Sequence, residues 1–137
     1  MNSMTPAEMK QLVRDHYAAM HRHDEAALER QVAADFVDHD SPVPVRGPEG
    51  VKSWSRALAA AFPDLSVELL DLIADGDRVA VRARWRGTHK GPFFGAEATG
   101  NAVDFTGMVF WRIAGGKIAE RWANLDRATL MQQLGVR

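Results

Sequence analysis

Cysteine is missing from this 137-residue chain. That excludes disulfides, thiolate nucleophiles and cysteine-based zinc sites. Long apolar runs are missing too: none is long enough to span a bilayer or to form a signal-peptide core. No membrane association is therefore expected, and the cytoplasm is the default location. Nor is there an excess of one charge, since 17 basic and 18 acidic side chains leave a net −1. A nucleic-acid binder carries a clear basic excess, so nucleic acid is not an expected partner. The Gly-Lys-Ser/Thr ending of a phosphate loop and the Gly-x-Ser-x-Gly nucleophile elbow are both absent. Enzymes built on the common nucleotide cofactors are thereby disfavoured. What is present, 46% hydrophobic and 26% charged residues, is the composition of an ordinary globular protein. The length suits one domain over residues 1–137. Any chemistry must then run on carboxylates, histidines and a shaped cavity.

The helices announce themselves by their starts. Thr5-Pro6-Ala7-Glu8 is a capping box with proline at the first helical position. Met9, Leu12, Val13, Tyr17 and Met20 follow at helical spacing, which predicts an amphipathic helix from residue 6 to about 21. A shorter helix after His23 or Asp24 would bury Ala27, Leu28 and Val32. Phe36 to Asp40 reads as a short strand entering a rigid loop, because Pro42 and Pro44 forbid a helix there. Gly47-Pro48-Glu49 starts a third helix with the apolar stripe Val51, Trp54, Leu58, Ala61 and Phe62, and Pro63 stops it.

Beyond Pro63 the period drops from 3.6 to 2. Leu65, Val67, Leu69 and Ile73 predict one strand, ending at the Asp75-Gly76-Asp77 turn. Val79, Val81, Ala83 and Trp85 share a face of the next, with Arg78, Arg82, Arg84 and Arg86 opposite. A glycine-rich connection covers 87–100. A long strand over 103–113, the turn Ala114-Gly115-Gly116-Lys117 and a last strand over 118–124 follow. Residues 127–134 read as a closing helix capped by Gly135. Helices first and hairpin-linked strands after them predict an α+β fold, with helices packed on one face of a curved sheet. Such a bent sheet encloses a wedge that suits a small molecule.

By alternation, Ile118, Glu120 and Trp122 share one face of the last strand, so Glu120 is a candidate for a desolvated carboxyl group. The alternative is that Glu120 pairs with a cross-strand arginine such as Arg112, or lies at a solvated edge. His89 continues the parity of Trp85 if that strand runs through Gly87. It is either a pocket-mouth residue or a satisfied core histidine. Asp38-His39-Asp40 invites a metal reading, but alternation sends adjacent residues to opposite faces, so no metal site is expected. His16 could share the buried helical stripe, whereas His21 and His23 look solvated. The arginine ladder reads as a solvated or subunit-facing surface rather than an anion site.

Several stretches taken in order resemble a known family: Phe36-Val37-Asp38-His39-Asp40, Gly47-Pro48-Glu49-Gly50-Val51, Phe62-Pro63-Asp64-Leu65, Gly76-Asp77-Arg78-Val79-Ala80-Val81, Gly87-Thr88-His89-Lys90-Gly91, Phe105-Thr106-Gly107, Gly116-Lys117-Ile118-Ala119-Glu120-Arg121-Trp122 and Asp126. The series is similar to the SnoaL-like polyketide cyclases, also termed ester cyclases, of the nuclear-transport-factor-2-like superfamily. The resemblance implies a cone: a strongly curved, mostly antiparallel sheet wrapped around N-terminal helices and enclosing a pocket. It implies ring closure by intramolecular aldol condensation, or related isomerase or hydrolase proton transfer, on a small hydrophobic oxygenated substrate. Neither metal nor cofactor would be needed, and an acidic side chain would serve as general acid/base. The family's acid is an aspartate. The resemblance implies Glu120 or Asp126 in that role, with His39, His89 and Trp122 lining the pocket and His39 a further catalytic candidate. Tyr17, Trp54 and Phe62, from the helical stripes, complete the expected lining. A homodimer is implied as well. A non-catalytic ligand-binding module with the same fold is the alternative, because fold alone does not settle function.

Overall fold

The computed structural model describes residues 3–41, 43–93 and 95–135. Pro42, one of the two prolines assigned to the rigid loop, lies outside them. The elements in chain order are α1 (Pro6–His21), α2 (Glu25–Gln31), β1 (Val32–Asp38), β2 (Val45–Arg46), α3 (Gly47–Ala61), β3 (Ser66–Asp75), β4 (Arg78–Thr88), β5 (Ala102–Ala114), β6 (Lys117–Leu125) and α4 (Arg127–Leu134). The capping box of α1 closes as its residues dictate: Thr5 accepts from the Glu8 amide at 3.1 Å, and Glu8 accepts from the Thr5 amide at 2.9 Å. Asp24 and Asp126 cap α2 and α4, and Gly135 ends α4 in the left-handed conformation that glycine adopts without penalty.

The six strands form one open, mixed sheet in the order β2-β1-β6-β5-β4-β3. All neighbours pair antiparallel except β1 and β6, which run parallel. The two-residue strand β2 and the parallel pairing were not anticipated. Both depend on long-range contacts that local periodicity does not carry. The inner face of the sheet packs on α1, α2 and α3 around Met9, Val13, Leu28, Phe36, Val79, Val81, Val109, Trp111 and Ile113. A smaller cluster of Ala61, Phe62, Val103, Leu130 and Leu134 seats α4 against β5. Among the described residues no helix is long and apolar enough to cross a membrane.

Two β-bulges change which side chains face in. In β3 the register steps from Leu69 opposite Ala83 to Asp71 opposite Arg82, so Leu70 is the extra residue. Leu72 and Ala74 then take the inner positions, and Ile73, expected on the apolar face, is 67% exposed on the other side. In β6, Ile118 lies opposite Ile113 but Glu120 lies opposite Arg112, so Ala119 is inserted. A bulge adds one residue to one strand and reverses the parity of everything beyond it. Arg121 and Ala123 therefore share the inner face with Ile118, facing Trp111 and Val109, while Glu120 and Trp122 face out.

Candidate active site

The inner face, α1 and α3 enclose a cavity of about 180 Å³ whose walls include His16, Tyr17, Met20, Trp54, Phe62, Leu65, Trp85 and Trp111. A second lobe of about 90 Å³ extends toward α4, lined by Asp40, Ser41, Phe93, Phe105, Leu125, Arg127 and Leu130. Asp38 and Arg121 line both lobes. Trp54, Leu58, Phe62, Leu65 and Trp85 line both as well, so the lobes meet along an apolar wall in which Asp38 and Arg121 are the charged members.

That pair is built by strand register. Asp38, the last residue of β1, lies opposite Arg121 in the parallel ladder with β6. Arg121 Nη1 donates to both carboxylate oxygens, at 3.2 and 3.1 Å, and the Asp40 amide donates to Oδ1 at 3.0 Å. The Asp38 side chain is 4% exposed and that of Arg121 17%. The guanidinium also lies 5.6 Å from the Trp111 ring centre, a cation–π contact. His16 is buried beside it, edge-on to Trp111 at 5.2 Å, and its Nδ1 pairs with Gln31 Oε1 at 3.1 Å. The Gln31 oxygen can only accept, so His16 carries its proton on Nδ1 and leaves Nε2 with a lone pair. Burial, against the support of Gln31, drives its pKa down to about 4, with the Arg121 charge adding to the drop, so the ring is neutral. Burial likewise pushes the Tyr17 phenol up to about 12.

The expected site residues divide between two places. Tyr17, Trp54 and Phe62 line the cavity. Glu120, Trp122 and His39 line neither lobe and gather on the outer face of the sheet. There His39 Nε2 lies 2.7 Å from Glu120 Oε2, Arg112 Nε donates to Oε1 at 2.5 Å, and the His39 ring stacks on Trp122 at 5.1 Å. The hydrogen bonds from His39 and then Arg112 hold the Glu120 carboxyl below the usual glutamate range. Glu120 thus takes the salt-bridged alternative. Asp126 lines neither lobe either; its carboxylate accepts from the amide and hydroxyl of Thr129 at the start of α4. His89 is fully buried behind Phe62, and its Nδ1 accepts from the Thr99 amide at 3.3 Å, so it secures the connection between β4 and β5. The arginine ladder is charge-paired on the outer face: Arg82 with Asp71, Arg84 with Asp104 and Arg86 with Glu68.

Sequence reasoning missed Asp38, Arg121 and His16 as a group. The signal for Asp38 was present, because it follows the buried Phe36 by two residues and so shares its face. The signal for Arg121 was reversed by the bulge at Ala119.

Among known proteins, the SnoaL-like polyketide cyclase family matches residues 10–134. The chain belongs to this family. Of its fellows in the fold, TsrD from Streptomyces laurentii superposes with a TM-score of 0.90 at 28% identity, over 98% of this chain and 100% of that one. IdmH from Streptomyces antibioticus, a polyketide cyclase candidate, gives 0.78 at 31% identity over 93% and 99%. AclR from Streptomyces galilaeus, a hydroxylase candidate, gives 0.81 at 30% identity over 96% and 83%. No curated protein matches the chain. In this SnoaL-like chain the cavity, with Asp38 and Arg121 among the residues that line both lobes, lies between the inner face of the sheet and the helices. Among the described residues of this SnoaL-like chain, no group of three or more histidine, aspartate or glutamate side chains is arranged to hold a metal ion.

Proposed function

We propose that the chain is a cofactor-independent acid–base enzyme of the cyclase and isomerase kind, with Asp38 rather than Glu120 or Asp126 as its working carboxyl group. The observation that carries this reading is the Asp38–Arg121 pair in the cavity wall. A buried ion pair is a poor source of stability compared with apolar side chains of the same volume, so its presence in a cavity argues for use. The carboxylate, fixed by Arg121 and the Asp40 amide, can remove a proton alpha to a carbonyl of a hydrophobic substrate. As it does so, negative charge moves from Asp38 to the substrate oxygen. Arg121 remains paired with a negative charge throughout, which avoids an isolated charge in a low-dielectric space.

Deuterium exchange at the alpha carbon of aryl diketones and keto esters tests the reading without knowledge of the natural substrate. The wild-type chain should accelerate exchange, and Asp38→Asn should lower the rate by about 10²–10⁴-fold. Glu120→Gln and Asp126→Asn should stay near the wild-type rate. A rate lost in Glu120→Gln but kept in Asp38→Asn would return the role to the outer face. Binding of these compounds with no acceleration of exchange would favour the non-catalytic module.

The same reading includes a homodimer formed through the outer face of the sheet. Ile73, Ala80, Phe110 and Trp122 form one row across β3 to β6, and Ile73, Phe110 and the neighbouring Met108 are exposed. Contiguous apolar patches of this kind mark association surfaces. Light scattering should give twice the chain mass for the wild type and the monomer mass for Phe110→Glu. A wild-type monomer at micromolar concentration would contradict the dimer.

A further inference from the structure

Arg121 uses only one of its three nitrogens on Asp38. Nη1 serves both carboxylate oxygens, whereas Nε and Nη2 make no hydrogen bond to any described residue and are not sealed from open space. The open space that Arg121 borders is the cavity, both of whose lobes it lines. Behind it in the same wall, the Tyr17 hydroxyl and the Trp111 indole N–H are sealed from open space against each other, so neither reaches a ligand in the cavity. They stand edge-on to each other, with ring centres 5.7 Å apart. The nearby acceptor, Asp38, is already taken by Arg121 and the Asp40 amide. The free groups that Arg121 offers the cavity are thus donors only, and a ligand that meets them must bring acceptors.

The chemistry of the guanidinium narrows the ligand further. Nε–H and one Nη2–H lie side by side in one plane and match two coplanar oxygens, a match that a single hydroxyl or an isolated ketone does not make. We propose that the ligand of this cavity carries a planar pair of acceptor oxygens sharing negative charge on an apolar body, and that the free Nε–Nη2 edge of Arg121 receives that pair. A carboxylate and the enolate of a 1,3-dicarbonyl compound both present this chemistry. The inference rests on the cavity being the ligand site, as in the function proposed above, but not on Asp38 performing catalysis.

Titration calorimetry with naphthoate, benzoylacetone and naphthalenemethanol tests it. Naphthoate, or benzoylacetone as its enolate, should bind at least about tenfold tighter than the alcohol, a difference of about 1.4 kcal/mol. The tighter of the two anions identifies the source as carboxylate or enolate. Arg121→Lys keeps a cation opposite Asp38 but removes the fork, and should erase most of that advantage. Asp38→Asn removes the competing carboxylate and should tighten naphthoate binding severalfold even as alpha-proton exchange is lost. Equal binding of alcohol and anions, no binding of either anion, an undiminished advantage in a folded Arg121→Lys, or weaker naphthoate binding in Asp38→Asn would each overturn the proposal. The wild-type comparison decides alone should either variant fail to fold. Loss of the exchange activity with the anion preference intact would sink the catalytic reading and leave this one standing.

Discussion

His16 ties the stability of the chain to pH in a direction that can be worked out in advance. The ring is buried, neutral, hydrogen-bonded to Gln31 through Nδ1 and close to the fixed positive charge of Arg121. Its folded pKa of about 4 lies below the ordinary histidine value of 6.5, so the unfolded chain binds the proton more readily. Stability is therefore complete above pH 6.5 and falls as the pH drops from there toward 4. At 1.36 kcal/mol per pKa unit the full loss is about 3 kcal/mol, and about 2 kcal/mol of it is reached by pH 5. A loss of that size is a large share of the 5–15 kcal/mol typical of a domain. Urea unfolding of the wild type and of His16→Phe at pH 7 and pH 5 isolates the effect, because the shared carboxylates cancel in the difference. Phenylalanine keeps an aromatic ring against Trp111 and cannot titrate. The wild type should lose about 2 kcal/mol more than the variant between the two pH values. Equal losses in both chains would refute the claim that His16 is held neutral.

Two further outcomes follow from local geometry. A Cβ at Gly91 would lie 2.3 Å from the Ala60 carbonyl oxygen, in a segment where the Lys90 and Gly91 amides both donate to Ala61 O at the end of α3. Gly91→Ala should therefore cost about 1–3 kcal/mol, measured by urea unfolding, and an unchanged midpoint would show that the loop moves aside freely. Asp126→Ala removes the cap from α4 and should lower stability by about 1 kcal/mol while alpha-proton exchange holds near the wild-type rate; a collapse of that rate would put Asp126 back in the site.

Much of the fold was legible because local chemistry and tertiary packing agree. Thr5, Asp24, Pro48, Pro63 and Gly135 bound the helices where capping and proline geometry require. The alternation of Val79, Val81, Ala83 and Trp85 names the buried face of β4 outright. The apolar stripes of α1 and α3 likewise yield Tyr17, Trp54 and Phe62 as cavity lining. The polar part of the site was not legible. Alternation assumes two residues per repeat, and Leu70 and Ala119 each break that count, so Ile73 and Glu120 were assigned to the face opposite the one they occupy. Asp38 reads as one acid of an Asp-His-Asp trio until Arg121 is brought opposite it by the parallel pairing of β1 with β6. No local pattern encodes that meeting.

The extra residue in β6 bears on how relatives of this chain should be compared. Deleting Ala119 would leave Ile118 opposite Ile113 and Glu120 opposite Arg112, so the strand would become regular and Arg121 would still point inward. A relative whose last strand is one residue shorter at this point could therefore have the same cavity. Aligned without a gap, however, the two chains would match an inward side chain of one with an outward side chain of the other. A single-residue gap in this strand thus carries chemical meaning, and placing it correctly comes before any transfer of residue roles from one cyclase-family chain to the next.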